Sequence, residues 1–204
     1  MPDFDIEKGL LLNGCKYVAG IDEAGRGSLA GPLSVSMVVF PEDVILNTPI
    51  DFKSINDSKK LTSACRDKVF DFIKYHALSY GHIFIDHQTI DSINVNQATR
   101  LAIQKLIENS DLKPDYLLID GNFSFKFEIP SLSVKKGDSK SFSIAAASII
   151  AKVIRDREML QLSSTYSSYG FDRNMGYGTK EHMEALRKHG ASPVHRISYA
   201  PCRK

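Results

Sequence analysis

Apolar and polar positions along the 204-residue chain change period several times, and each change marks an element. Five short runs, residues 17–21, 34–40, 80–85, 116–119 and 131–134, are rich in β-branched and aromatic side chains. They end at Gly, Pro, Asp or Asn, which is how strands read. Between them the spacing lengthens. Leu61, Cys65, Val69, Phe72, Ile73 and Ala77 predict a helix over 58–78, and Ile90, Ile93, Ala98, Leu101, Ala102 and Leu106 predict one over 89–108. The segment 142–154, FSIAAASIIAKVI, lacks charge from Ser141 through Ala151. It is shorter than the roughly 20 residues that span a bilayer, so it predicts a helix buried against the sheet, its small residues permitting close packing. Residues 166–178, with Gly170, Gly176 and Gly178, read as a loop. A last helix starts near Thr179 as N-cap, buries Met183 and Leu186, and stops at Gly190 before Pro193. Early strands in succession, then strands alternating with helices, predict an α/β domain: a mixed five-stranded sheet flanked by helices, with a C-terminal helical segment. No repeat or low-complexity linker interrupts the chain, so a single domain over 1–204 is expected, its helical extension starting at about residue 158.

At 43% hydrophobic, the chain can bury a real core without staples. Cys15, Cys65 and Cys202 form no CxxC pair or zinc spacing, which predicts structural thiols in a reducing compartment. The N-terminus MPDFDIEKG is acidic rather than basic-then-apolar, and a cytoplasmic location is expected. The net charge of +2 hides an asymmetry: residues 1–134 carry 13 basic and 18 acidic side chains, residues 135–204 carry 13 and 6. That suits a C-terminal part facing a polyanion while carboxylates elsewhere collect cations, although a solvated basic helix face gives the same count.

The candidate chemistry starts in YVAGIDEAGRGSLAG. Asp22 and Glu23 directly follow a short apolar run, where a carboxylate must be hydrogen-bonded, paired or bound to a cation. Gly25 and Gly27 flank Arg26 and let bare backbone N–H groups approach a phosphate. Asp120 ends YLLID and Asp138 sits in KKGDS, again after strand-like runs. If the strands are neighbours, Asp22, Glu23, Asp120 and Asp138 converge at one sheet edge, where ligands gather in open α/β folds. Their repulsion raises pKa values or demands hard divalent ions, Mg²⁺ or Mn²⁺, rather than zinc. Such a cluster beside a phosphate-binding turn points to phosphodiester chemistry with two metals. A solvated acidic turn is the competing reading, and for a bare Asp-Glu pair it would win.

GIDEAGRG, DSKKL at 57–61, IDGN at 119–122, KGDS at 136–139, AASIIAKVIRD at 146–156, GYGT at 176–179 and HRISYAP at 195–201 occur in this order. The chain resembles the type 2 ribonucleases H, and within them bacterial ribonuclease HII, over almost its whole length. The resemblance implies an RNase H-like fold and an endonuclease acting on RNA–DNA hybrids and on duplex DNA containing ribonucleotides. Cleavage 5′ of a single ribonucleotide would leave 3′-hydroxyl and 5′-phosphate ends. It implies that Asp22, Glu23, Asp120 and Asp138 bind Mn²⁺ or Mg²⁺, two ions per site, that Gly25, Arg26 and Gly27 sense the ribose 2′-hydroxyl, and that Tyr177 stacks near that ribose. Two departures stand out. Ser28 replaces the proline usual after GRG, which should loosen the turn; Asn174-Met175 replaces a His-Lys pair, which removes a cation and should flatten the salt dependence. The sister family ribonuclease HIII carries an extra N-terminal domain, for which a first strand beginning by Tyr17 leaves no room.

Other candidates take plainer readings. Asp156, beside Arg155 and Arg157, reads as a salt-bridged structural acid. Lys59 and Lys60 read as phosphate contacts or as solvated lysines; His182 and His195 read as structural. A monomer is the default. Against the endonuclease stand a non-catalytic RNA–DNA hybrid-binding module and a DEDD-type exonuclease, which orders its acids differently and needs a free strand end.

Overall fold

The computed structural model describes residues 1–55 and 62–203; DSKKL, with Lys59 and Lys60, lies outside the described residues. The strands are β1 (Val18–Ala24), β2 (Leu33–Val39), β3 (Ser79–Ile85), β4 (Tyr116–Asp120) and β5 (Ser131–Val134). They form one sheet in the order β3-β2-β1-β4-β5. The first three pair antiparallel, whereas β4 and β5 run parallel to β1, giving the mixed sheet expected. The first strand is longer than predicted, so Asp22 and Glu23 lie inside it, paired with Ser36 and Val35.

The helices are α1 (Asp5–Leu12), α2 (Glu42–Leu46), α3 (Ser63–His76), α4 (His87–Asn109), α5 (Phe142–Thr165), α6 (Phe171–Asn174) and α7 (Lys180–His189). Period-2 alternation sorts the sheet into two faces. Leu33, Val35, Met37 and Val39 of β2, with Ala19 and Ile21 of β1, pack against Ile90, Ala98, Ala102 and Ile103 of α4. On the opposite face Val38 joins Phe4, Phe40 and Phe52 beneath the apolar side of α5. Small residues bring α5 very close: a Cβ on Gly20 would lie 2.1 Å from the Ser143 carbonyl carbon.

Several boundaries differ from the sequence reading. Helix α3 begins at Ser63, capped by the Thr62 hydroxyl accepting from the Cys65 N–H, and residues 58–61 of the predicted helix lie outside the described residues. Helix α4 breaks at Asn94 (φ 63°), whose side-chain oxygen accepts from the N–H groups of Asn96 and Gln97 and caps a second segment. Helix α5 continues through the charged run to Thr165, so a boundary near residue 158 falls inside it. The stretch read as loop contains α6. The N-terminal α1 is an addition: its buried Glu7 accepts from the Ser141 hydroxyl at 2.6 Å and the Ser143 N–H at 3.1 Å, tying down the start of α5. The C-terminal segment packs Phe171, Ala185, Leu186 and Cys202 around Leu29, Ala30 and Met159 in a cluster of its own. Among the described residues no helix is long and apolar enough to cross a membrane.

Candidate functional site

Strands β1 and β4 lie side by side and parallel, with Ile21 opposite Ile119. The next residue on each is therefore a carboxylate, Asp22 or Asp120. Asp22 is buried, and its Oδ1 accepts from the Glu23 N–H at 2.7 Å. Burial, then repulsion from Glu23 and Asp120, holds the Asp22 carboxyl well above the usual carboxylate range, only partly offset by the Glu23 N–H and the Ser148 hydroxyl. Asp120 Oδ1 accepts from the Gly137 N–H at 2.6 Å, which ties the 3-10 turn Gly137–Ser139 to the end of β4.

A cavity of about 460 Å³ opens over these strand ends. Asp22, Glu23, Gly25, Arg26, Gly27, Asp120 and Tyr177 all line it, joined by Ser148 and Lys152 from α5. Asp138 does not. It is buried in the adjoining turn, next to the residue that donates to Asp120. Among the described residues no three His, Cys, Asp or Glu side chains already stand at the spacing of a metal cage. The three lining carboxylates share the cavity without closing on a common point.

The turn carrying Arg26 is held from behind by two fully buried arginines that sequence reasoning did not single out. Arg155 Nε donates to the Pro32 carbonyl (3.0 Å) and Nη1 to that of Met175 (2.9 Å), while Nη2 donates to the Ser28 hydroxyl (2.7 Å) and the Ala30 carbonyl (3.2 Å). Arg196 donates to the carbonyls of Gly31 and Arg26, and Tyr199 Oη donates to the same Arg26 carbonyl. Burial lowers the Arg155 pKa to about 10, so it stays protonated at neutral pH and its hydrogen bonds are charge-assisted. Gly25 (φ +87°) lies against it: a Cβ there would fall 1.9 Å from Arg155 Nε. Arg155 also lies 5.5 Å from the Tyr177 ring centre, and Lys152 Nζ 5.8 Å from it. The only sequence signal for Arg155 is its position in VIRD, two turns of helix beyond Ser148 and one beyond Lys152.

This arrangement corrects the reading of Ser28. Its hydroxyl is buried, donates to the Gly25 carbonyl at 2.9 Å and accepts from Arg155, bracing the turn that its presence was expected to loosen. Asn174 is likewise buried, donating to the Tyr169 carbonyl and accepting from the Gly176 N–H, so it shapes the approach to Tyr177. Asp156 is a salt-bridged acid as read, but its partners are Lys152 (2.7 Å) and Arg66 (3.4 Å), while Arg157 pairs with Asp67.

His182 and His195 form a directional chain. The Ser192 N–H donates to His195 Nδ1 (2.9 Å), which leaves the proton on Nε2; that nitrogen donates to His182 Nε2 (2.9 Å), and His182 Nδ1 then donates to the Tyr177 carbonyl (3.0 Å). Burial, with the His182 charge adding to it, lowers the His195 pKa to about 4, and burial lowers that of His182.

A family profile described as ribonuclease HII matches residues 19–202. Ribonuclease HII of Bacillus mycoides is 49% identical over 195 residues, covering 96% of this chain and 73% of the relative. The ribonuclease H2 structure from Pyrococcus horikoshii superposes with a TM-score of 0.78 at 28% identity, covering 92% of this chain and 95% of that one. A structure of Bst-RNase HIII in complex with Mn²⁺ gives a TM-score of 0.68 over 92% of this chain and 68% of that one; at 18% identity it shows the shared fold.

Proposed function

From the premise that this chain belongs to the ribonuclease HII family, whose members cleave the RNA strand of RNA–DNA hybrids, we propose that it is also an incision enzyme for single ribonucleotides in duplex DNA. It cuts on their 5′ side through a pair of divalent ions and leaves 3′-hydroxyl and 5′-phosphate ends. One observation carries this reading: carboxylates from two adjacent parallel strands face the same cavity as a glycine-framed arginine and a tyrosine ring.

The donor set fits the cation. Asp22, Glu23 and Asp120 offer oxygen only, as Mg²⁺ and Mn²⁺ prefer, and the Asp22 carboxyl is pushed up first by burial and then by the like charge of Glu23 and Asp120. We assign Asp138, in the turn hydrogen-bonded to Asp120, as the fourth oxygen donor. When bound, a divalent pair lends Lewis acidity to the scissile phosphate and to the attacking water. The remaining work falls to the chain. The exposed Gly27 and the backbone around Arg26 read a ribose 2′-hydroxyl, the one group that separates RNA from DNA at a single nucleotide. Tyr177, 37% exposed on the cavity wall, supplies the flat surface against that sugar. Arg155 and Arg196 fix the turn so that these contacts need no reorganisation.

A closed circular duplex with one internal ribonucleotide tests this. Nicking with Mg²⁺ or Mn²⁺, abolished by chelator and by Asp22→Asn, is expected; an intact circle refutes the single-ribonucleotide reading, and chelator-resistant nicking refutes the metal.

A further inference from the structure

Beside the carboxylate cavity lies a second, of about 680 Å³, within the range of about 300–1,000 Å³ typical of ligand sites. Arg26 lines both. Chain connectivity reinforces the link, because Asp120 runs through Gly121 directly into Asn122 and Phe123, which form part of the second wall. The lining carries three cations, Arg26, Arg100 and Lys126, and no carboxylate. Arg26 is committed: it bonds Thr99 and Asn96, faces Glu23 at 3.8 Å, and its guanidinium sits 4.9 Å from the Phe123 ring centre. Phe123 in turn stacks on Phe125, with centroids 4.6 Å apart and planes at 14°. The result is a fixed column of guanidinium and two rings. Arg100 and Lys126, by contrast, form no ion pair among the described residues.

We propose that this cavity is a subsite for the nucleic-acid strand as it continues past the reactive nucleotide, with backbone phosphates against Arg100 and Lys126 and a sugar or base against the exposed edge of Phe125. This rests on the reading of the carboxylate cavity as the cleavage site and adds to it where the substrate goes next. An anion is required by the lining charge, and a planar group by the half-buried rings. A polyanion that also has π-faces, entering a site that shares a wall with phosphodiester-cleaving machinery, is a nucleic-acid strand. An acidic peptide would satisfy the cations but not the stacked column.

The test measures binding of an uncleavable hybrid, with a 2′-deoxy or 2′-O-methyl sugar at the cut site, across a salt series for the parent and for Arg100→Gln/Lys126→Gln. Both side chains are exposed or half-exposed, so the variant should melt as the parent does. The slope of log K against log salt should fall by about 0.9 for each phosphate that the variant leaves unneutralised, roughly two units for the pair. Hybrids shortened stepwise from one end should lose affinity for the parent and not for the variant, while hybrids too short to reach the cavity should bind both equally. An unchanged slope, or a loss that is the same for long and short hybrids, overturns the subsite. Displacement of the long hybrid by an acidic peptide, and not by a single strand, assigns the cavity to a protein partner and overturns it as well. Cleavage of a ribonucleotide-containing duplex by the parent is scored separately: its absence would refute the function proposed above while leaving the slope measurement to judge the subsite.

Discussion

Replacing Arg155 with methionine removes the fork that holds the Gly25–Gly27 turn while keeping much of its volume. Four hydrogen bonds go, to Pro32, Met175, Ala30 and Ser28, over distances of 2.7–3.2 Å. Hydrogen bonds to a charged group contribute about 1.5–3 kcal/mol each, which sums to an upper bound of about 6–12 kcal/mol. The true loss is smaller, since the Ala30 carbonyl keeps the Ser28 hydroxyl as a second donor and methionine recovers apolar contact. Disrupting a buried charged network costs about 3–5 kcal/mol. In a chain of this size 1 kcal/mol is worth about 2–4 °C, so the melting temperature should fall by about 6–20 °C. Because the same fork backs Gly25 and Tyr177, cleavage of a single-ribonucleotide duplex should fall as well, measured well below the variant's own transition. Arg155→Lys, which keeps the charge but not the planar fork, should lie between. A methionine variant that melts within about 2 °C of the parent refutes the energetics; one that is destabilised yet cleaves at the parental rate refutes the positioning role.

Gly20→Ala should destabilise by about 1–3 kcal/mol or more, seen in thermal melts, because its Cβ meets the backbone of α5 rather than a side chain that could turn away; an unchanged melt would show that α5 can shift outward freely. Asp22→Asn should be inactive yet more stable than the parent in chelator. The Asp22 pKa is raised on folding, so the folded state holds a proton that the unfolded state has released, and stability falls as pH rises above the ordinary carboxylate range. Urea melts at pH 5 and pH 8 should show the advantage of asparagine widening with pH, and a constant difference would contradict the raised pKa that burial and like charge produce. His195 behaves oppositely: its pKa is lowered to about 4, so the folded state binds fewer protons and stability drops as pH falls from about 6.5 towards 4, by up to about 1.4 kcal/mol per pH unit. His82, also lowered to about 4 by burial, adds to the same window. Denaturant midpoints for His195→Gln should show a shallower acid limb than the parent.

The sheet was legible because its strands carry their own period and their own punctuation: five runs of four to seven β-prone residues became five strands. The acidic positions were legible for a related reason, since an apolar run ending in aspartate leaves few places for that aspartate except a sheet edge. What escaped was whatever depends on partners distant in sequence. Nothing local says that Arg155 turns inward to Ser28 while its neighbour Arg157 turns out to Asp67. Ser28 looked like a weakened turn because proline rigidifies from within, whereas the serine is rigidified by a guanidinium 127 residues away. Helix α1 is only eight residues long and is held by Glu7 reaching across to α5, a tertiary cause with a faint local trace. Asp138 follows a strand as the others do, but it sits within the 3-10 turn Gly137–Ser139 and does not line the cavity they share.

The closure of the Arg26 turn by Arg196, across 170 residues of chain, also has a meaning in time. A polypeptide emerging from the ribosome makes the Arg26 turn early, and Arg196 only after all five strands of the sheet and α7. Before Arg196 and Tyr199 have been made, the Arg26 carbonyl lacks the two side-chain donors described above, so the turn cannot yet be held in place from behind.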